Sequence, residues 1–166
     1  MNMRYFVTVV LFIASMTGAK AKNNISVDYT EESELVSVIA HLAKVPGYIW
    51  SEEQAGVIDY FHQVDSTFAP YSNHPIMAFV ADSLVKQGFG YHVPVAMALR
   101  LKLKNGKLHY NTDLEPDFNH YYRGITPQHE KKLIALLEDF YKKAHFHSFF
   151  KKNQPLYNAC KQTMQQ

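Results

Sequence analysis

Thr126-Pro127 opens the segment that most limits what this chain can become. Threonine is a preferred helix N-cap because its hydroxyl accepts from an orphan first-turn amide, and proline suits the first helical position, where its missing N–H has no partner to lose. Behind this start, Leu133, Leu136, Leu137, Phe140 and Tyr141 fall in one stripe at helical spacing. The pattern predicts an amphipathic helix reaching about Ala144, with a broad apolar face that other elements must cover.

Most of those other elements also read as helices. Leu35, Val38, Ile39 and Leu42 predict a helix over Glu31–Val45, with Glu31, Glu32 and Glu34 in the first turn complementing the helix dipole and Pro46-Gly47 ending it. Ser51, followed by Glu52 and Glu53, predicts the N-cap of a second helix that runs through Ile58, Phe61 and Val64 to near Phe68. The chain then turns at residues 69–73, and His74-Pro75 begins a third helix with Met77, Val80, Ala81 and Leu84 inward and Gly88 at its end. Residues 94–101 read as helix, with Val95, Met97, Ala98 and Leu101 apolar. The alternation of Leu101-Lys102-Leu103-Lys104 before Asn105-Gly106 signals either a β-hairpin or a helix C-cap. We expect helix to about Leu103 and an extended return. Residues 112–125 read as loop, 145–152 as a continuation of the long helix or a short separate one, and Pro155 as the start of a last helix carrying Leu156, Ala159 and Cys160. The predicted fold is mainly α, an irregular multi-helix array with room for one short β-hairpin.

The first residues follow a different plan. Met1–Arg4 is short and basic, Tyr5–Ala14 is an apolar run, and Ala19-Lys20-Ala21 places small residues at the two positions a signal peptidase reads. Residues 1–21 are therefore expected to be a signal peptide cleaved after Ala21, leaving residues 22–166 as one helical domain in the periplasm or outside the cell. The apolar run is about half of the roughly 20 residues a membrane span requires, so no span is expected. Of 17 basic and 15 acidic residues, Arg4 and Lys20 belong to the leader, so the mature chain is neutral and gives no reason to expect nucleic acid. Its charge is uneven: residues 22–82 are acidic and 83–166 basic, which suits either an acidic partner or mutual attraction of the two halves. One cysteine allows no internal disulfide, so an exported chain of this kind depends on its core, for which 47% hydrophobic residues suffice.

Nine histidines raise the question of a metal. A zinc peptidase helix needs His-Glu-x-x-His, because the two imidazoles one turn apart converge on the ion. Here His129-Glu130 leads to Leu133, and the second ligand is missing. His145 and His147 diverge by about 200° if helical, and a third ligand from His120 or His109 has no pattern behind it. Cys160 is expected to be a buried, inert thiol. Gly88 and Gly90 lack the context of a phosphate loop, Asp113, Glu115 and Asp117 lack the glycine and glutamate of a calcium loop, and Lys102, Lys104 and Lys107 read as edge lysines. No catalytic, cofactor or metal residue is assigned. If any part lines a cleft, Tyr71 and His74 are the candidates, since a turn feeding a helix start can present an imidazole beside an aromatic surface.

The segments Glu34–Ile39 with Leu42-Ala43, Val64–Pro75 and Phe140–Phe150 with Tyr157, above all Phe68-x-Pro70-Tyr71-x-x-His74-Pro75, resemble a family of exported bacterial proteins, domain of unknown function 4932. The resemblance runs from about Val27 to Tyr157 and covers the N-terminal part of that family, whose longer members carry a His-Glu-x-x-His-type helix downstream. It implies an N-terminal helical, non-catalytic module of an exported, zinc-metallopeptidase-like protein, packed beside the metal-bearing part, with no cofactor in this chain. The alternative is a stand-alone periplasmic or envelope binding domain using Phe118–Tyr122, with an unknown protein or peptide as partner. An independent metallohydrolase built on His120, His145 and His147 ranks third.

Overall fold

The computed structural model describes residues 29–47, 55–90, 93–111 and 125–164. The expected leader, the expected cap at Ser51, and the expected loop with Phe118–Tyr122 and His120 fall outside them. The described chain is mainly helical with one short antiparallel sheet.

Helix α1 (Glu31–Leu42) is capped by Thr30, whose hydroxyl accepts from the Ser33 amide at 3.3 Å. It packs against five other elements, so burial extends past the expected stripe to Val36 and Ala40. A helix apolar on nearly every side after its first turn belongs in a core. It ends three residues before the expected Val45. Val45 precedes Pro46, which disfavours helical backbone there, and Lys44 leaves the helix in a left-handed conformation with φ 55°.

Helix α2 (Ala55–Phe68) runs into a 3₁₀ turn at Ala69–Tyr71. Helix α3 (Pro75–Ala78) then widens into a π-helical stretch (Phe79–Leu84) and tightens into a 3₁₀ turn (Val85–Gln87), with Gly88 at φ 88° as its left-handed end. The wide turn corrects the expected inner face: Ile76, Val80 and Leu84 stay in line and buried, whereas Ala81 is exposed.

Helix α4 (Val93–Leu99) is shorter than expected, because Leu101 begins strand β1 (Leu101–Lys104) paired with β2 (Lys107–Tyr110). Asn105 and Gly106, at φ 54° and 71°, form the doubly left-handed turn whose twist matches a hairpin. Leu101 pairs with Tyr110 and Leu103 with Leu108. The Leu108 amide donates to Glu138 Oε1 at 2.7 Å, which docks the hairpin on the long helix.

That helix, α5 (Pro127–Lys143), matches expectation from its Thr126 cap to Ala144, with Leu133, Leu137 and Phe140 buried and Leu136 and Tyr141 partly so. His129 completes the cap reciprocally, its ring nitrogen accepting from the Thr126 amide. His145 at φ 50° breaks the chain before α6 (Phe146–Lys152), and α7 (Gln154–Met164) follows. The inward residues of α7 are not the expected ones. Tyr157 is buried because it stacks on Phe150 and Tyr29, which turns Leu156 and Ala159 to solvent and leaves Cys160 half-buried.

An aromatic cluster joins these layers. Phe68 lies 5.5 Å from Phe140, 5.8 Å from Phe146 and 4.9 Å from Phe149, ring centre to ring centre, so the ends of α2, α5 and α6 converge on one buried ring. Among the described residues no helix is long and apolar enough to cross a membrane.

Candidate functional site: a carboxylate between tyrosines at the α1–α4 groove

Glu34 stands at the edge of the α1 stripe, one residue before Leu35 and one turn before Val38, so the helix carries its carboxylate inward. There it accepts a hydrogen bond from the Tyr60 hydroxyl of α2. The Tyr157 hydroxyl of α7 lies 3.1 Å from that of Tyr60 and acts on the same carboxyl group. Burial pushes the Glu34 carboxyl above its ordinary range, and the two hydroxyls oppose the shift. Burial, then the neighbouring carboxylate, pushes both phenols up as well, so they remain neutral donors. No cation is among the described groups acting on Glu34.

The cluster borders a groove of about 220 Å³ lined by Tyr29, Ser33, Glu34 and Ser37 on one side and Pro94, Val95, Ala98 and Leu99 on the other. Val95 is 55% exposed and Leu99 51%, whereas Met97 and Ala98, also apolar, are buried. Val95 and Leu99 lie one turn apart on α4, whose opposite side, through Met97, is fully buried. Together with Pro94 and Ala98 they form the apolar wall of the groove. A second recess of about 420 Å³ is bounded by Pro46, Gly47, Val85, Gly88, Phe89 and Gly90, with no titratable side chain among them.

Tyr71 and His74, the cleft candidates, sit at the turn feeding α3. His74 is 8% exposed; its Nδ1 accepts from the Ile76 amide at 3.3 Å, which fixes Nε2 as the protonated nitrogen, and Nε2 donates to Asp139 at 3.0 Å. Phe140 meets both rings edge-on. Asp139 is held below the ordinary carboxylate range, first by Lys143 and then by His74. His41 reaches Asp65 of α2 at 2.9 Å, and His147 of α6 reaches Glu31 of α1 at 2.9 Å. Glu31 also accepts from Tyr141, whose phenol is pushed up to about 12 by burial and by that carboxylate. These histidines tie helices together in pairs.

Among the described residues no three His, Cys, Asp or Glu side chains gather around one point. His129 serves its cap, His109 stands on β2 opposite Lys102, and Glu130 lies 3.8 Å from Arg100. Reading the sequence had left Glu34 as a dipole partner; its edge position on the stripe was the available signal. Tyr60 and Tyr157 come from 26 and 123 positions away along the chain and carried none. No family model, no curated protein and no solved structure matches this chain.

Proposed function

We propose that this chain is an exported helical binding module without catalysis of its own, and that it meets a protein or peptide partner at the α1–α4 groove. The observation that carries the reading is the pair of exposed side chains, Val95 and Leu99, beside a partly buried carboxylate. An apolar wall with one convergent polar group is the ordinary composition of a recognition site. The leader supports export. The motif resemblance favours an N-terminal position beside the metal-bearing part of a zinc-metallopeptidase-like protein. The alternative is a stand-alone envelope domain, and the groove would serve either arrangement.

Two measurements test this reading. Fragments of varied chemistry, followed by protein-observed NMR, should shift the amides of Ser33, Ser37, Val95 and Leu99 together; shifts scattered over the surface would overturn the groove as the binding site. The purified protein should begin at Lys22 and show neither stoichiometric zinc nor peptidase turnover. Zinc at one equivalent with turnover would overturn the non-catalytic assignment.

A further inference from the structure

Resting on the groove as the binding site, we infer that its occupant is a lysine side chain of a peptide or protein partner, the ammonium meeting Glu34 and the aliphatic stem lying along Val95, Ala98 and Leu99. Four observations lead there.

The first is charge. Glu34 is drawn out of water with two hydroxyls on it and no cation among the described groups acting on it. A carboxylate in that state gains from a cation that arrives already bound to an apolar body, because the newcomer supplies both a countercharge and cover. The second is the form of the acceptor. Tyr60 already donates to one carboxylate oxygen and Tyr157 acts on the same group, so the fork of an arginine, which uses both oxygens, has to share one of them. A point charge on a flexible stem needs only one oxygen.

The third is size. At about 220 Å³ the groove falls below the roughly 300–1,000 Å³ of sites for drug-sized ligands, which suits one side chain. On the polar wall the Ser33 hydroxyl donates to the Thr30 carbonyl at 2.8 Å, and the Ser37 hydroxyl one turn on can meet a peptide group flanking the side chain. The fourth is the exposure of the apolar wall. Val95 is 55% exposed and Leu99 51%, open to an aliphatic stem laid along them.

The test uses the full mature chain and four capped tripeptides, glycine–X–glycine, with lysine, norleucine, arginine or glutamate at X, titrated by protein-observed NMR. The lysine peptide should bind at the Ser33, Ser37, Val95 and Leu99 amides at least tenfold more tightly than the other three. Equal affinity for norleucine would overturn the inference and leave the groove as an apolar binding surface. Equal affinity for arginine would overturn the single-oxygen argument and the lysine assignment with it. Pentylammonium binding as tightly as the lysine peptide would overturn a peptide source in favour of a free amine. Failure of every peptide where neutral fragments still bind would sink the lysine inference alone; failure of both would sink the groove. Glu34→Gln should abolish the preference for lysine over norleucine while keeping norleucine affinity. Should that variant not fold, the comparison of peptides on the unaltered chain decides the matter.

Discussion

Replacing Tyr60 with phenylalanine deletes one hydroxyl and nearly nothing else, which makes it the cleanest probe of the Glu34 cluster. Above the Glu34 titration the deleted bond runs to a carboxylate, and a hydrogen bond to a charged group contributes about 1.5–3 kcal/mol. Below it the carboxyl holds its proton and the same bond is neutral, worth about 0.5–1.5 kcal/mol. The sign follows from linkage. Glu34 in the folded protein titrates above its unfolded value, so its burial lowers stability as pH rises through that window. The Tyr60 hydroxyl reduces that penalty by favouring the charged form, and its removal enlarges it. Tyr60→Phe should therefore cost about 1 kcal/mol or more extra at a pH above the Glu34 midpoint than at one below it. Urea unfolding of both proteins at the two pH values gives the difference directly, and taking variant minus wild type cancels the other titrating groups. Equal losses at both pH values, or none, would mean that Tyr60 does not hold a charged Glu34.

Three further outcomes follow from the same contacts. Phe68→Ala should cost about 3–5 kcal/mol by chemical denaturation, since the ring fills the meeting point of Phe140, Phe146 and Phe149 and the cavity would open at their centre. Thr126→Ala should cost about 1 kcal/mol, because the first turn of α5 loses the hydroxyl that accepts from His129; a loss below a few tenths would count against the cap. In a carboxyl NMR titration, Lys143→Ala should raise the Asp139 midpoint more than His74→Ala does, Lys143 being the stronger of the two influences that lower it.

What the sequence made legible was local. The α5 start could be read because threonine and proline act on their own turn, and its stripe because periodicity is a property of one segment. The hairpin was half legible: Asn105-Gly106 announced a turn, but Leu101-Lys102-Leu103-Lys104 extends an apolar helical pattern equally well until β2 is there to pair with it. Ala81 was misplaced because a π-helical turn changes the phase of a face without any residue that marks it. Val95 and Tyr157 show the larger obstacle. Which side of a short helix turns inward is decided by its neighbours, and Tyr157 is buried by Phe150 and Tyr29 rather than by its own spacing. The candidate site inherits this difficulty, since α1, α2, α4 and α7 each supply one part of it. The aromatic motifs behave differently. Phe68, Tyr71, His74, Phe140, Phe146 and Phe149 stand in separate segments whose association no local pattern announces, and the fold brings them together as one packed cluster, with His74 buried against Phe140.

If Glu34 is withdrawn from water and open to a cationic partner, its side-chain carboxyl, followed by carbon-13 NMR from pH 3 to pH 9 with and without the lysine tripeptide, should show both. Its midpoint should lie above the ordinary glutamate range in the free protein and shift downward on adding the peptide, because a bound ammonium favours the charged form. An ordinary midpoint, or one that saturating peptide leaves in place, would contradict that reading of Glu34.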